Sequence, residues 1–157
     1  STELTLFSKN KIIAAQSFNI GTIRLLHDQI KKETWNNLKE WVSHNTKGFQ
    51  PLTAIGSGGN INKLFKMADR KEHKPLAIDR IREIYDFLKE CSLEERIIKL
   101  GLNPDRADVI IPATKVLLTI LKTANIDQVF VPQVGLSDGI VHLLYDKYKG
   151  MPEFNFD

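Results

Sequence analysis

The sequence predicts an α/β domain, a mixed sheet flanked by helices. Three observations carry this expectation. Residues 2–7 and 12–19 have the two-residue alternation of strands on either side of a polar turn. Short apolar runs at 52–55 and 127–132 each pass through glycines into a helical pattern. The long stretches between them have helical periodicity. A hairpin followed by strand–helix units requires a mixed sheet with helices packed on it.

In Thr2–Phe7, Leu4 and Leu6 fall on one face and Glu3 and Thr5 on the other. Ser8-Lys9-Asn10-Lys11 is a turn, and residues 12–19 form the return strand. Gly21 leads into a helix that spaces Ile23, Leu26, Ile30, Leu38 and Trp41, and Lys47-Gly48 closes it. A strand at Leu52–Ile55 enters Gly56-Ser57-Gly58-Gly59-Asn60. A helix carrying Ile61, Leu64, Phe65 and Ala68 follows. Residues 69–75 are a charged loop ended by Pro75, and the next helix carries Ile78, Ile81, Ile84, Tyr85 and Leu88. Ser92-Leu93-Glu94-Glu95 has the capping-box pattern, and Gly101 stops the short helix it starts. Asn103-Pro104-Asp105-Arg106 precedes an apolar helix from Ala107 to Leu121. Pro112 inside that helix predicts a kink or a later true start. After the strand at 127–132, Gly135–Gly139 reads as a loop and Ile140–Tyr148 as a last helix. The tail 150–157 has no periodicity.

Composition narrows the function classes. The chain has 157 residues, 42% of them hydrophobic, which excludes a disordered chain. Its net charge of +3 is too mild for a nucleic-acid binder, yet it suits an anionic small ligand if concentrated locally. The single cysteine, Cys91, allows no internal disulfide and no thiolate metal cluster. The longest apolar stretch, Val109–Leu121, is interrupted by Pro112 and Lys115 and is too short for a bilayer. A cytoplasmic protein with no nucleic-acid or membrane partner is expected.

The Gly56-Ser57-Gly58-Gly59 turn is the clearest candidate for chemistry. A strand that runs through glycines into a helix leaves backbone N–H groups and the positive dipole end facing a ligand, a natural seat for phosphate. A purely structural turn fits these four residues equally well. Arg106 can reach an anion from the first turn of its helix, or pair with Asp105 or Asp108. Arg24 has the same ambiguity, and Gly135–Gly139 offers a second backbone turn or an ordinary loop. His27, His44, His73 and His142 have no partner at metal-ligand spacing, and no nucleophile-elbow motif fits.

Taken together, the segments resemble the second domain of the exopolyphosphatase/guanosine pentaphosphate phosphohydrolase family, of the ribonuclease H-like (actin-like ATPase) fold. Ser1-Thr2-Glu3-Leu4 matches the end of that family's Asp-Ile-Gly-Gly-Gly-Ser-Thr-Glu-Leu loop. Ser17 through Gly21 to Arg24-Leu25 matches its Ser-x-x-x-Gly-x-x-Arg-Leu segment, and Gly56–Gly59 its Gly-x-Gly-Gly turn. Gly101-Leu102-Asn103-Pro104-Asp105-Arg106-Ala107-Asp108-Val109-Ile110-Ile111-Pro112 matches its Gly-Leu-x-Pro-x-Arg-Ala-Asp-x-Ile-x-Pro segment, the most specific of the set. Gly135-Leu136-Ser137-Asp138-Gly139 resembles its Gly-Leu-x-x-Gly.

The resemblance implies release of terminal phosphate from inorganic polyphosphate or guanosine pentaphosphate in a cleft between two actin-like domains. It implies Ser1, Thr2, Gly56, Ser57, Gly58, Gly59 and Arg106 as phosphate contacts. Glu3 becomes a catalytic carboxylate that positions magnesium or water. The family's general-base glutamate lies in the first domain, so residues 1–157 by themselves are expected to be inactive. Residues 69–105 are a helical insert in this domain. The expected partners are the phosphate chain (or guanosine penta- or tetraphosphate), the protein's own first domain, and a second copy in a homodimer. In the family's strand order the first strand lies between residues 2–7 and 52–55, so these two strands should flank a gap and not pair. The competing readings are an ATP-dependent kinase of the same fold and an inactive guanosine tetraphosphate-binding protein.

Overall fold

The computed structural model describes residues 1–27, 29–68 and 74–150. The hairpin consists of β1 (Thr2–Ser8) and β2 (Lys11–Phe18), paired antiparallel with Glu3 opposite Ser17 and an irregularity at Leu6/Phe7. Lys9 and Asn10 both take positive φ, as a two-residue turn between twisted strands requires. Two helices follow, α1 (Thr22–Leu26) and α2 (Lys32–Thr46). The single helix expected from Gly21 to Lys47 is thus divided. His27 ends α1 in a non-helical conformation, and Lys31 is extended (φ −62°, ψ 147°) at the start of α2. The break lets Leu25 and Ile30 both reach the core that receives Trp35, Leu38 and Trp41.

Strand β3 (Ala54–Ile55) is shorter than the 52–55 run, and α3 (Gly59–Met67) begins four residues beyond it. Strand β4 (Leu76–Ala77) lies just after Pro75, where a plain loop-to-helix passage was expected. It pairs antiparallel with β5 (Gln128–Phe130), and β5 pairs parallel with β3, giving the order β3-β5-β4. Two residues are too few for alternation to register, so β4 was invisible to periodicity. Its helix α4 (Ile78–Glu90) follows at once and buries Ile78, Ile81, Ile84 and Leu88. The stretch 69–105 therefore carries a sheet strand besides its helices, and its residues 69–73 lie outside the described ones.

The capping box is present. Glu95 N–H donates to Ser92 Oγ at 3.1 Å, and Ser92 N–H donates to Glu95 Oε2 at 2.9 Å, starting α5 (Leu93–Ile98). Gly101 has the positive φ, 59°, expected after that helix. Pro104 opens the short α6 (Pro104–Ala107), and α7 (Ile110–Thr123) starts afresh with Pro112 in its first turn, where a missing N–H costs nothing. The late start, rather than a kink, is what occurs. The last helix, α8 (Leu136–Lys149), starts within the segment read as a loop, because the Asp138 carboxylate accepts the Gly135 N–H at 2.7 Å and caps it. Leu136, Val141, Leu144 and Tyr148 on α8 are exposed.

Two apolar clusters form, and α7 belongs to both. Ile110 and Leu121 pack with Leu64, Phe65, Leu76, Ile81, Leu88 and Val129 around the three-stranded sheet. Val116, with Ile120 beside it, packs with Phe18, Ile20 and Leu38 under the hairpin. No backbone pairing joins the two sheets: β1 and β3 are not hydrogen-bonded to each other, as the expected gap requires. Among the described residues no helix is long and apolar enough to cross a membrane.

Leu38→Ala removes a fully buried side chain from the smaller cluster and should lower stability by about 2–4 kcal/mol, read as a shift in the urea midpoint. Ser92→Ala should cost about 1 kcal/mol. The Lys99 ammonium and the capping N–H hold the Glu95 carboxyl down to about 2 from its ordinary 4.5. A depressed carboxylate stabilises above its unfolded value, and that stabilisation is lost as pH falls through the folded one. The stability difference between wild type and Glu95→Gln should therefore be present at pH 6 and shrink between 4.5 and 2, measured by thermal unfolding across that range.

Candidate functional site

A groove of about 430 Å³ lies between the two sheets. Ser1, Thr2, Glu3 and Leu4 form one wall, Ala54 through Ile61 the other, and Ala113, Val116, Leu117, Ile120 and Leu121 of α7 the floor. The predicted candidates Ser1, Thr2, Glu3, Gly56, Ser57, Gly58 and Gly59 thus meet in one place, the first three at the start of β1 and the others in the turn from β3 into α3.

Each wall is built by local forces. Thr2 Oγ1 donates to the Ile20 carbonyl at 2.7 Å, tying the start of β1 to the chain just beyond β2. The Glu3 carboxylate accepts hydrogen bonds from the hydroxyls of Ser1 and of Ser17, the latter at 3.2 Å from the opposite strand. The Ser1 hydrogen bond, against a desolvation that works the other way and helped by Ser17, holds Glu3 below its ordinary carboxyl range. Glu3 is therefore a fixed anion at neutral pH.

On the opposite wall, Gly56 N–H donates to the Phe130 carbonyl at 2.8 Å, so the turn departs directly from the sheet ladder. A Cβ on Gly56 would lie 3.3 Å from Val129 Cγ2 and would strike Ile61 Cδ1. Gly58 precedes α3 with φ 125°, a conformation side chains rarely adopt. No side chain caps this helix, so its first N–H groups face the groove unclaimed by the helix itself. The glycines have structural reasons to be there, and the same geometry leaves the turn's backbone open to the groove.

Arg106 lies on the other side of Gly59. Its guanidinium occupies the space that a Gly59 Cβ would need, with Nη2 only 2.6 Å from that position. It lines an adjoining cavity with Gly59, Asn62, Lys63 and Lys66. Its short helix is held by Arg96, which donates to the Ala107 carbonyl at 2.5 Å and to the Cys91 carbonyl at 3.2 Å. Asn62, Lys63 and Lys66 were not anticipated. Counting helical period from Gly59 would have found them, since they stand three, four and seven residues on.

Arg24 lines neither cavity, and Gly135–Gly139 forms the capped start of α8 away from both. His73 lies outside the described residues, and among the described ones no three His, Cys, Asp or Glu side chains converge on a metal position. The oxygen donors at the groove, the Glu3 carboxylate with its serine neighbours, are the hard type that magnesium takes, and one carboxylate completed by substrate phosphates is its common mode. Ser17→Ala removes one of the hydrogen bonds holding the Glu3 carboxylate, so the Glu3 pKa should rise toward 4.5, followed by NMR titration of its side-chain carboxyl carbon.

Comparison with known proteins gives this geometry its context. The chain resembles the solved Ppx/GppA phosphatase of Aquifex aeolicus in its type II variant, with 24% identity and a TM-score of 0.73, over 88% of this chain and 52% of that one. A second structure of the Aquifex aeolicus family member gives 22% identity and a TM-score of 0.70, over 94% and 53%. An exopolyphosphatase from Cytophaga hutchinsonii gives 20% and 0.71, over 96% and 54%. The chain spans about half the length of these structures. At such identities the likeness establishes the fold, the α/β actin-like arrangement. No curated protein matches the chain. The sequence profile of the Ppx/GppA phosphatase family matches residues 1–148, and the chain belongs to that family.

Proposed function

We propose that this chain is the second domain of a phosphohydrolase that releases terminal phosphate from a chain of phosphates, either inorganic polyphosphate or guanosine pentaphosphate. One observation carries the proposal. In a chain of the Ppx/GppA phosphatase family, Ser1–Glu3 at the start of β1 and the Gly56–Gly59 turn between β3 and α3 line one groove.

The roles follow from chemistry. Backbone N–H groups at the start of α3 and Arg106 hold phosphate oxygens, whose charge shifts during P–O cleavage, while Ser1 and Thr2, whose hydroxyl protons go to Glu3 and the Ile20 carbonyl, shape the facing wall of the phosphate loop. Glu3, kept ionised by Ser1 and Ser17, orients a water or a hydrated cation beside the phosphate. Magnesium, held by Glu3 and the substrate's own oxygens, would shield phosphate charge. A first domain on the open side of the groove supplies the general base. The second domain's own first strand, the one that ends in the phosphate loop, lies between β1 and β3, whose facing edges are unpaired with each other.

The test is phosphate release by the full-length protein from long-chain polyphosphate and from guanosine pentaphosphate. Glu3→Gln should lower kcat by about 10²–10⁴-fold while leaving the fold intact. Residues 1–157 alone should release none. Turnover by the isolated chain, or full activity in Glu3→Gln, would overturn the assignment.

A further inference from the structure

A separate cavity of about 340 Å³ opens on another side of α7 from the groove. The helix gives Ala113, Val116, Leu117 and Ile120 to the groove floor, and Ile111, Pro112 and Lys115 to this cavity. By helical period the two sets fall on different faces. Leu25, Ile30 and Trp35 also line the cavity, and all three pack on the apolar cluster under the hairpin. Ile111 packs on the cluster around the three-stranded sheet, and Tyr85 stands on α4, which builds that cluster. The cavity is therefore an unfilled stretch of the seam between the two clusters. It shares no lining residue with the groove.

Its chemistry is aromatic and cationic. Trp35 and Tyr85 are each only half-buried, so part of each ring is left uncovered, and Pro112 adds a third ring. Such rings offer surface on which a planar molecule packs. Lys115 Nζ stands 5.9 Å from the centre of the Trp35 ring, which places one positive charge beside an apolar surface. Among the described residues Lys115 takes part in no ion pair, and none of the residues lining the cavity is acidic. Mostly apolar walls with one or two placed polar groups, in about 300–1,000 Å³, are the usual form of a small-molecule site.

Charge selects among planar ligands. A cationic ring is repelled by Lys115, and a neutral ring leaves the ammonium without a counterion. A carboxylate on the ring pairs with it in a partly desolvated setting, where such a pair is stronger than in water. Bare phosphate gains nothing from the rings. We propose that this cavity binds a small aromatic carboxylate, with its ring against Trp35, Tyr85 and Pro112 and its carboxylate on the Lys115 ammonium. The site is distinct from the phosphate groove and does not rest on the function proposed above. A ligand there touches both apolar clusters at once, so its binding stabilises the folded domain.

The experiment is calorimetric titration of the full-length protein with 1-naphthoate, alongside neutral 1-naphthalenemethanol, cationic 1-naphthylmethylamine and aliphatic octanoate. Only 1-naphthoate should bind well, and it should raise the melting temperature as its concentration rises. Lys115→Gln should weaken 1-naphthoate about tenfold and leave 1-naphthalenemethanol unchanged, while Lys115→Arg should keep binding within about threefold. Leu26 also lines the cavity and is exposed, so Leu26→Glu should block 1-naphthoate without disturbing the fold, as checked by the melting temperature of the free variant. Absence of binding at about 1 mM 1-naphthoate, or unchanged binding in both Lys115→Gln and Leu26→Glu, overturns the site. Equal affinity for octanoate overturns the aromatic class of its ligand, and equal affinity for 1-naphthylmethylamine overturns the role of Lys115.

Discussion

Everything in this domain depends on α7 being apolar on two sides. Val116 and Ile120 fill the cluster under the hairpin, while Ile110 and Leu121 close the cluster under the three-stranded sheet. The two sheets have no hydrogen bond between them, so this helix is what sets their separation. It also floors the groove. The spacing between Glu3 and the glycine turn is therefore fixed by side-chain packing on a shared helix, not by backbone pairing. Packed interiors transmit small changes, so a methylene lost from this helix is felt on both walls. Thr114, buried within the helix, satisfies its hydroxyl on the Ile110 carbonyl at 2.7 Å and adds no polar demand to either cluster.

The electrostatics are arranged by position more than by total. A net charge of +3 over the whole chain is unremarkable. The ion pairs on α4 and α5 cancel charge on an exposed flank, each by a surface contact of small energetic weight. Among the described residues Lys63, Lys66 and Arg106 take part in no ion pair, and all three line the cavity next to the start of α3, where backbone donors already point. Glu3, across the groove, is the complementary negative group. The phosphate chain and hydrated divalent cation proposed above would satisfy both at once.

Much of the fold was legible because it rests on local rules. The alternation in Thr2–Phe7, the Ser92–Glu95 box and the positive φ at Gly101 are each determined within a few residues. What escaped was set by distant contacts or by very short elements. Strand β4 is two residues long and exists because β5 offers an edge to it. The break between α1 and α2 answers to the core under the hairpin, since Leu25 and Ile30 both turn inward. The start of α8 was missed because Asp138 can cap Gly135 as easily as it can decorate a loop. At the site, glycines and loop residues could be named from the sequence. That Arg106 fills the space beside Gly59 depends on the Gly101 turn and on the Arg96 anchors, which no spacing rule encodes.

The hairpin's dependence on α7 bears on how the chain is made. A two-stranded ribbon closes within about 1–10 μs but is marginal by itself in water. Phe18 and Ile20 leave the ribosome long before Val116, and at about 5–20 residues per second the interval is roughly 5–20 s. During it, α2 can offer Leu38 and Trp41 as partial cover, while the face meant for α7 stays wet. The hairpin wall of the groove is thus made well before the helix that covers it, which makes nascent-chain exposure of β1 and β2 a built-in feature of the order in which these elements are written.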